Sequence, residues 1–342
     1  MRLITVLLFF SSIFTAGAQN LDGILKQLSN GSRSDTLIAF DRGNELGYIP
    51  LTVIKGKQQG TVFTIVAGIH GYEYPPVIAV QELVKEIDPN QLHGTLIILP
   101  IANIASFYRR SPFVNPIDGK NLNNVFPGAP SGTASEQIAH WITKEVMANT
   151  DIFLDIHGGD ANEDLLPFIC YYNNKDEAQK TAQARLLSEA SGMEYIVSYP
   201  YTLEKTAPAK YAFKQAVQNG IVALSIEAGK LGTVQIENVT LIKNAVYNML
   251  SHSGIYKTKK AVTVTSKKYL YNQSYVKVPG KGIFYSSIKS GDAVVRGANI
   301  GHITDEFGKT LYQITAPESG IVLYKTGTPP VNKDETLFCI GH

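Results

Sequence analysis

His70 and Glu73 stand three residues apart in Ala67-Gly68-Ile69-His70-Gly71-Tyr72-Glu73, at the end of an apolar run and just before an amphipathic segment. An imidazole nitrogen and a carboxylate oxygen so spaced in a loop can point at one cation. Zinc accepts that pair, but a catalytic zinc needs a third protein ligand and an open position. Asp155-Ile156-His157-Gly158-Gly159 ends a second apolar run, and His157 completes a His₂Glu set of His70, Glu73 and His157. Asp155, two residues earlier, projects to the same side of an extended strand and suits the second ring nitrogen of an imidazole. Ile226-Glu227-Ala228-Gly229 ends a third run. A carboxylate there can take a proton from a zinc-bound water and later hand it to a leaving nitrogen. The small residues after it let a substrate approach closely.

A long connection without strong periodicity holds Tyr108-Arg109-Arg110-Ser111 and the run from Asn115 to Gly128. Long loops in compact domains are often functional. An Arg in it can stabilise the oxyanion of a tetrahedral intermediate, and Asn side chains can hold polar parts of a substrate. The other histidines, His93, His140, His252, His302 and His342, lack such context and read as structural or solvated. Tyr199 and Tyr201 read as loop residues that can line a pocket.

These residues need elements that bring them to one place. Thr61 to Ala67, Thr95 to Pro100, Asp151 to Ile156, Pro167 to Tyr172 and Ile221 to Ile226 are apolar on both faces, the pattern of buried strands in a largely parallel sheet. Between them, helix patterns run over Pro76 to Ile87, Ala134 to Met147, Lys175 to Ala190, Ala207 to Gln218 and Ile236 to Leu250. Alternating strands and helices predict an α/β domain, and loops leaving the carboxyl ends of its parallel strands are where such sheets place ligands. The ends of three strands would then share His70, Glu73, His157 and Glu227.

After Ser251 the pattern changes. From Ala261 onward only short alternating segments occur, such as Ser274 to Val278, Thr310 to Ile314 and Gly320 to Tyr324, punctuated by Gly and Pro. That predicts a small all-β domain over 258–342, behind a larger domain over 19–257, with the linker between His252 and Lys260. Residues 1–18 read as a cleavable signal peptide: Arg2, the apolar run Leu3 to Phe14, then Ala16-Gly17-Ala18. The mature chain would begin near Gln19, in a secreted or periplasmic location, with no cysteine there to carry a lipid anchor. With 31 basic and 29 acidic residues the net charge is +2, too weak a field to imply nucleic acid or a membrane surface as partner. Cys170 and Cys339 read as buried free thiols, with a disulfide the alternative in an oxidising compartment.

The order His70-x-x-Glu73, Arg110, Asn121-Leu122-Asn123-x-x-Phe126-Pro127-Gly128, His157 and Glu227-Ala228-Gly229 resembles the succinylglutamate desuccinylase and aspartoacylase family of the zinc carboxypeptidase-like superfamily. The resemblance covers essentially all of 36–251. It implies a carboxypeptidase-like fold, one zinc per chain on His70, Glu73 and His157, and Glu227 as general base and acid. It also implies that Arg110, with Arg109 adjacent, polarises the scissile carbonyl, and that Asn123 helps hold the substrate. The family usually reads Asn-Leu-Asn-Arg, whereas Asn124 stands here in place of the Arg that clamps a substrate carboxylate, which an Asn cannot reproduce. Either Arg109, Lys120 or Lys230 takes over that carboxylate, or the substrate is neutral there. The β-domain resembles lipoyl and biotin-carrier folds in outline, without a carrier lysine at a hairpin tip. The reaction expected is hydrolysis of an amide in an N-acyl amino acid or small peptide-like molecule. An exported carboxypeptidase or peptidoglycan-trimming amidase, or a non-catalytic binding protein, are the alternatives.

Overall fold

The computed structural model describes residues 20–40, 45–257 and 266–342, so the expected signal segment and the end of the linker lie outside the described residues. Seven α-helices are described: α1 (Leu21–Gln27), α2 (Tyr74–Glu86), α3 (Ile104–Arg109), α4 (Ala134–Trp141), α5 (Ala178–Ala190), α6 (Ala212–Gln218) and α7 (Ile236–His252). The large sheet uses β1 (Ser32–Ala39), β2 (Tyr48–Lys55), β3 (Gln58–Ala67), β4 (His93–Leu99) and β5 (Ile152–His157). After the short β6 (Glu163–Leu165), it continues with β7 (Phe168–Asn173), β8 (Tyr195–Pro200), β9 (Val222–Glu227) and β10 (Lys268–Leu270). Strand order is β1-β2-β4-β3-β5-β9-β7-β8-β10. The centre, β4-β3-β5-β9, is parallel, whereas β1 and β2 form an antiparallel edge and β7 runs antiparallel to β9. The sheet is therefore mixed and largely parallel, flanked by helices, as the alternation predicts.

The central strands are apolar on both faces because both are covered. One face packs Ile65, Leu154 and Ile226 under α2, α5 and α7 through Val80, Leu83, Leu187, Ile242 and Met249. The other packs Val66, Phe153 and Ala223 under α4 and α6 through Ile138, Ala139 and Phe213. Burial of this kind is worth about 25 cal/mol per Å² of apolar surface, which fixes the register of the strands. In that register Ala67 pairs with Ile156, and His157 with Glu227, so the sequence-predicted residues do come to one rim.

Several elements differ from expectation. The helix predicted from Ala207 begins at Ala212, because Lys210 adopts a left-handed φ of 71° and exchanges both backbone hydrogen bonds with Phe126. The helix predicted to reach Met147 widens into a π-turn over Ile142–Val146. Tyr199 lies in β8, packed between Tyr172 and the core, and is not a loop residue; Tyr201 follows the strand end.

The remaining strands are β11 (Gln273–Lys277), β12 (Gly282–Tyr285), β13 (Ala293–Val294), β14 (Asn299–Thr304), β15 (Thr310–Thr315), β16 (Gly320–Thr326), β17 (Pro330–Val331) and β18 (Thr336–Gly341). They form two small antiparallel sheets, β11-β18-β16-β13 and β15-β14-β12-β17, around Phe284, Ile303, Val322, Phe338 and Ile340. This module and the large sheet interlock in both directions. β10 extends the large sheet beside β8, and β6 pairs with β16, Leu165 opposite Tyr324 and Glu163 opposite Thr326. Cys170 and Cys339 are both buried and unpaired. Burial pushes both thiols up, Cys339 to about 12. No helix among the described residues is long and apolar enough to cross a membrane.

Candidate metal centre and active site

The His70 loop is shaped by two glycines. Gly68, at φ 66°, turns the chain out of β3, and a side chain at Gly71 would collide with the Ser106 carbonyl of α3. Pro75 and Pro76 in the first turn of α2 then start the helix directly after Glu73, where a fixed φ is favourable. His70 and Glu73 are thereby held on a tight, non-extensible turn between β3 and α2.

Three ligand-type atoms, one each from His70, Glu73 and His157, lie within 4.8 Å of one another. His70 Nδ1 is 2.7 Å from Glu73 Oε1, and His157 Nδ1 is 3.0 Å from Glu73 Oε2. The outward ring nitrogens face acceptors: His70 Nε2 is 3.1 Å from Asn121 Oδ1, and His157 Nε2 is 3.1 Å from Asp155 Oδ2. With a proton held on each Nε2, the Nδ1 lone pairs and the Glu73 carboxylate converge. Two imidazoles and one carboxylate, each imidazole oriented from behind, is a donor set that fits zinc.

Electrostatics agrees with mutual dependence. Burial would raise Glu73, but His157 and His70 outweigh it and hold the carboxyl at about 2. Burial would likewise lower both imidazoles, but Asp155 and Glu73 hold His157 well above the usual range, and Glu73 raises His70. Without a cation both rings hold their second proton more tightly than a free imidazole does, so protons and a metal compete for the same nitrogens. Replacing Asp155 by Asn should weaken zinc binding by about 10–100-fold, read by competition with a chromophoric chelator. Unchanged affinity would leave Asp155 as only a buried neighbour.

Glu227 stands beside His157 at the end of β9, with the Ala228 N–H donating to the His157 carbonyl at 2.9 Å. Burial pushes its carboxyl up to about 8. Its side chain makes no hydrogen bond among the described residues, which leaves it free to exchange a proton.

The loop residues are placed less uniformly. Asn123 accepts from the Ala212 N–H at 2.8 Å, and its side-chain nitrogen lies 3.5 Å from His157 Nε2. Asn124 is exposed. Arg109 and Arg110 are exposed, and their side chains make no hydrogen bond or ion pair among the described residues; Arg110 ends α3 at φ 50°, its backbone N–H donating to the Phe107 carbonyl. The structure thus gathers the metal set, Glu227, Asp155 and Asn123, but does not bring either guanidinium into contact with them.

Sequence reasoning quoted Asn121 in a motif without giving it a role, and missed two acids here. Asn121 backs His70. Asp160, fully buried, accepts from the Phe113 N–H at 2.9 Å, and Phe113 sets its ring edge against His70 with centroids 6.1 Å apart. Glu163 accepts from the Asp160 N–H at 3.1 Å, and burial raises its carboxyl to about 7. Both acids sit in the polar stretch after His157 and read as ordinary loop; their signal is only that the stretch directly follows a metal-type histidine.

Residues 59–253 match the model of the succinylglutamate desuccinylase/aspartoacylase catalytic domain. Over 301 residues the chain is 28% identical to N-alpha-acetyl-L-2,4-diaminobutyric acid deacetylase of Halomonas elongata, covering 86% of this chain and 85% of that protein. It is similar to the solved structure of a succinylglutamate desuccinylase/aspartoacylase from Rhodobacter sphaeroides, with TM-score 0.82 and 25% identity over 92% of this chain and 98% of that one. The product-bound ectoine utilization protein EutE (DoeB) from Ruegeria pomeroyi is similar to the same degree, at TM-score 0.81 and 25% identity, over 92% and 97% of the two chains.

Proposed function

The chain belongs to the succinylglutamate desuccinylase/aspartoacylase family, whose members hydrolyse amide bonds, and from that premise we propose that it is a zinc-dependent hydrolase of an N-acyl amino acid or small peptide-like amide. The observation that carries the zinc reading is the convergence of His70 Nδ1, His157 Nδ1 and the Glu73 carboxylate, with Asn121 and Asp155 behind the rings. A zinc ion held there would supply Lewis acidity, polarising an acyl carbonyl and lowering the pKa of water.

The chain's own groups do the rest. Glu227, unencumbered at the rim, accepts the proton of the attacking water and returns it to the leaving nitrogen. A neighbouring cation would draw its carboxyl down from about 8, so that the base form is available at neutral pH. Asn123, pinned by Ala212, borders the cleft beside His157. Arg110, whose exposed guanidinium has no side-chain partner to give up among the described residues, is the group for the developing oxyanion, with Arg109 next to it in sequence.

The test begins with an N-acetylated amino acid, Nα-acetyl-L-2,4-diaminobutyric acid, because the relative in Halomonas elongata is named for it. Purified protein should release free amine from this or another acyl amino acid, and a chelator should stop it. Release from peptides but not acyl amino acids would move the reading to a carboxypeptidase. No release from either class would contradict it.

Zinc affinity should fall with pH. Both imidazole pKa values are raised in the metal-free fold, so the imidazolium–Glu73 attraction is fully present below the unfolded value near 6.5 and is lost as pH rises through the folded values. Below those values each ligand proton displaced should weaken zinc binding by about tenfold per pH unit. Titrations at several pH values check this; a flat profile would exclude imidazole ligation.

We also propose export, supported by the pattern of residues 1–18. Amino-terminal sequencing of the mature protein should begin at Gln19, and an intact Met1 would contradict export by this signal.

A further inference from the structure

The two imidazoles of the centre are oriented unequally. His157 Nε2 faces a charged group, the buried Asp155 carboxylate, at 3.1 Å. His70 Nε2 faces only the neutral amide oxygen of Asn121, also at 3.1 Å. A second restraint on His70 is the Phe113 ring, which meets the imidazole edge-on with the two planes 67° apart.

Phe113 holds that place on a strained backbone. Its φ is 57°, a left-handed value that a bulky residue seldom adopts. Across it the Val114 N–H donates to the Pro112 carbonyl at 2.6 Å, so Pro112-Phe113-Val114 closes a γ-turn of the rare, positive-φ kind. Such strain persists only where the surroundings enforce it, and it gathers at functional sites. Ser106 Oγ donates to the carbonyls of Ser111, at 2.9 Å, and Val114, at 3.1 Å, which ties the flanks of the turn to α3. The tip is held by another segment: the Phe113 N–H donates to Asp160 Oδ2 at 2.9 Å.

Asp160 is itself firmly placed. It is fully buried, three residues after His157, and its Oδ1 accepts from the Ala161 N–H at 2.6 Å. Its own N–H donates to Glu163 Oε2 at 3.1 Å, and the Gly159 N–H donates to the Gly229 carbonyl at 2.8 Å. The carboxylate thus joins the strand end that carries His157 to the turn that packs on His70.

We propose that Asp160 is a positioning residue for the metal centre: by holding the Phe113 turn it sets the ring against His70 and so aims His70 Nδ1 at the metal. This rests on the zinc reading above.

The experiment measures the zinc affinity of the full chain by competition with a chromophoric chelator, with a melting curve for each metal-free variant. Phe113→Ala, which keeps the backbone N–H, should weaken zinc binding by about tenfold, and Asp160→Ala by as much. The double variant should be no weaker than either single one, because both remove the same contact. Asp160→Asn keeps an oxygen for the Phe113 N–H and should retain most of the affinity, although it loses the charge. A purely electrostatic effect of Asp160 would give the opposite order, with Asp160→Asn as weak as Asp160→Ala and Phe113→Ala unchanged. That order, or additive losses in the double variant, overturns the proposal. Should Asp160→Ala fail to fold, Asp160→Asn against Phe113→Ala decides in the same way. A lack of zinc on the unmodified chain would remove the centre and this role with it, whereas a zinc-binding chain indifferent to Phe113→Ala loses this role alone.

Discussion

Glu227→Gln should lower turnover by roughly 10²–10⁴-fold while leaving the metal stoichiometry unchanged. The substitution preserves size and shape but removes the ability to accept a proton, and Glu227 is not among the three converging ligand atoms. Steady-state rates with parallel metal analysis check both halves, and near-normal turnover would remove Glu227 from the mechanism. The same variant has a second signature without metal. Because the folded carboxyl sits at about 8, above its ordinary value of 4.5, its contribution to stability is present below that value and is lost as pH rises through about 8. Metal-free Glu227→Gln should therefore exceed the unmodified protein in stability above pH 8, by a few kcal/mol at most. Identical melting curves at that pH would mean that the carboxyl is better solvated than its surroundings indicate.

His157→Ala is the substitution with the largest structural consequence. It removes one of three ligands and also the counter-charge that Glu73 and Asp155 share, leaving two carboxylates buried at 3% and 0% exposure. Breaking a buried pair from one side costs about 3–5 kcal/mol, because the remaining charge is uncompensated. Zinc should be lost, and the metal-free variant should melt well below the metal-free unmodified protein. Retention of full zinc content would show that His157 is not a ligand. Loss of zinc without loss of stability would show that Glu73 and Asp155 take up protons at little energetic expense.

The site's centre was legible because His70, His157 and Glu227 each close an apolar run, and runs buried on both faces read as parallel strands whose ends share a rim. Register then did the remaining work, setting His157 against Glu227. Asp155 was legible from its place two residues before His157, and Asn123 from the resemblance, but what pins Asn123 and what positions Glu163 depend on contacts between distant segments. Asn123 meets Ala212 across 89 residues of sequence, and β6 pairs with a strand of the C-terminal module, carrying Glu163 with it. Nothing local in Glu163-Asp164-Leu165 signals that partner. The antiparallel edge strands β1 and β2, and β8, were overlooked as strands for a related reason: tertiary pairing, more than their own pattern, decides them. At Lys210 a backbone exchange with Phe126 overrides a helical pattern.

The most direct test of the account is elemental analysis of the purified mature chain beside a His70→Ala control. The account predicts about one zinc per chain in the first and loss of it in the second. No bound metal after zinc is supplied, or the same zinc content in both proteins, would contradict the His70, Glu73 and His157 centre and the hydrolase built on it.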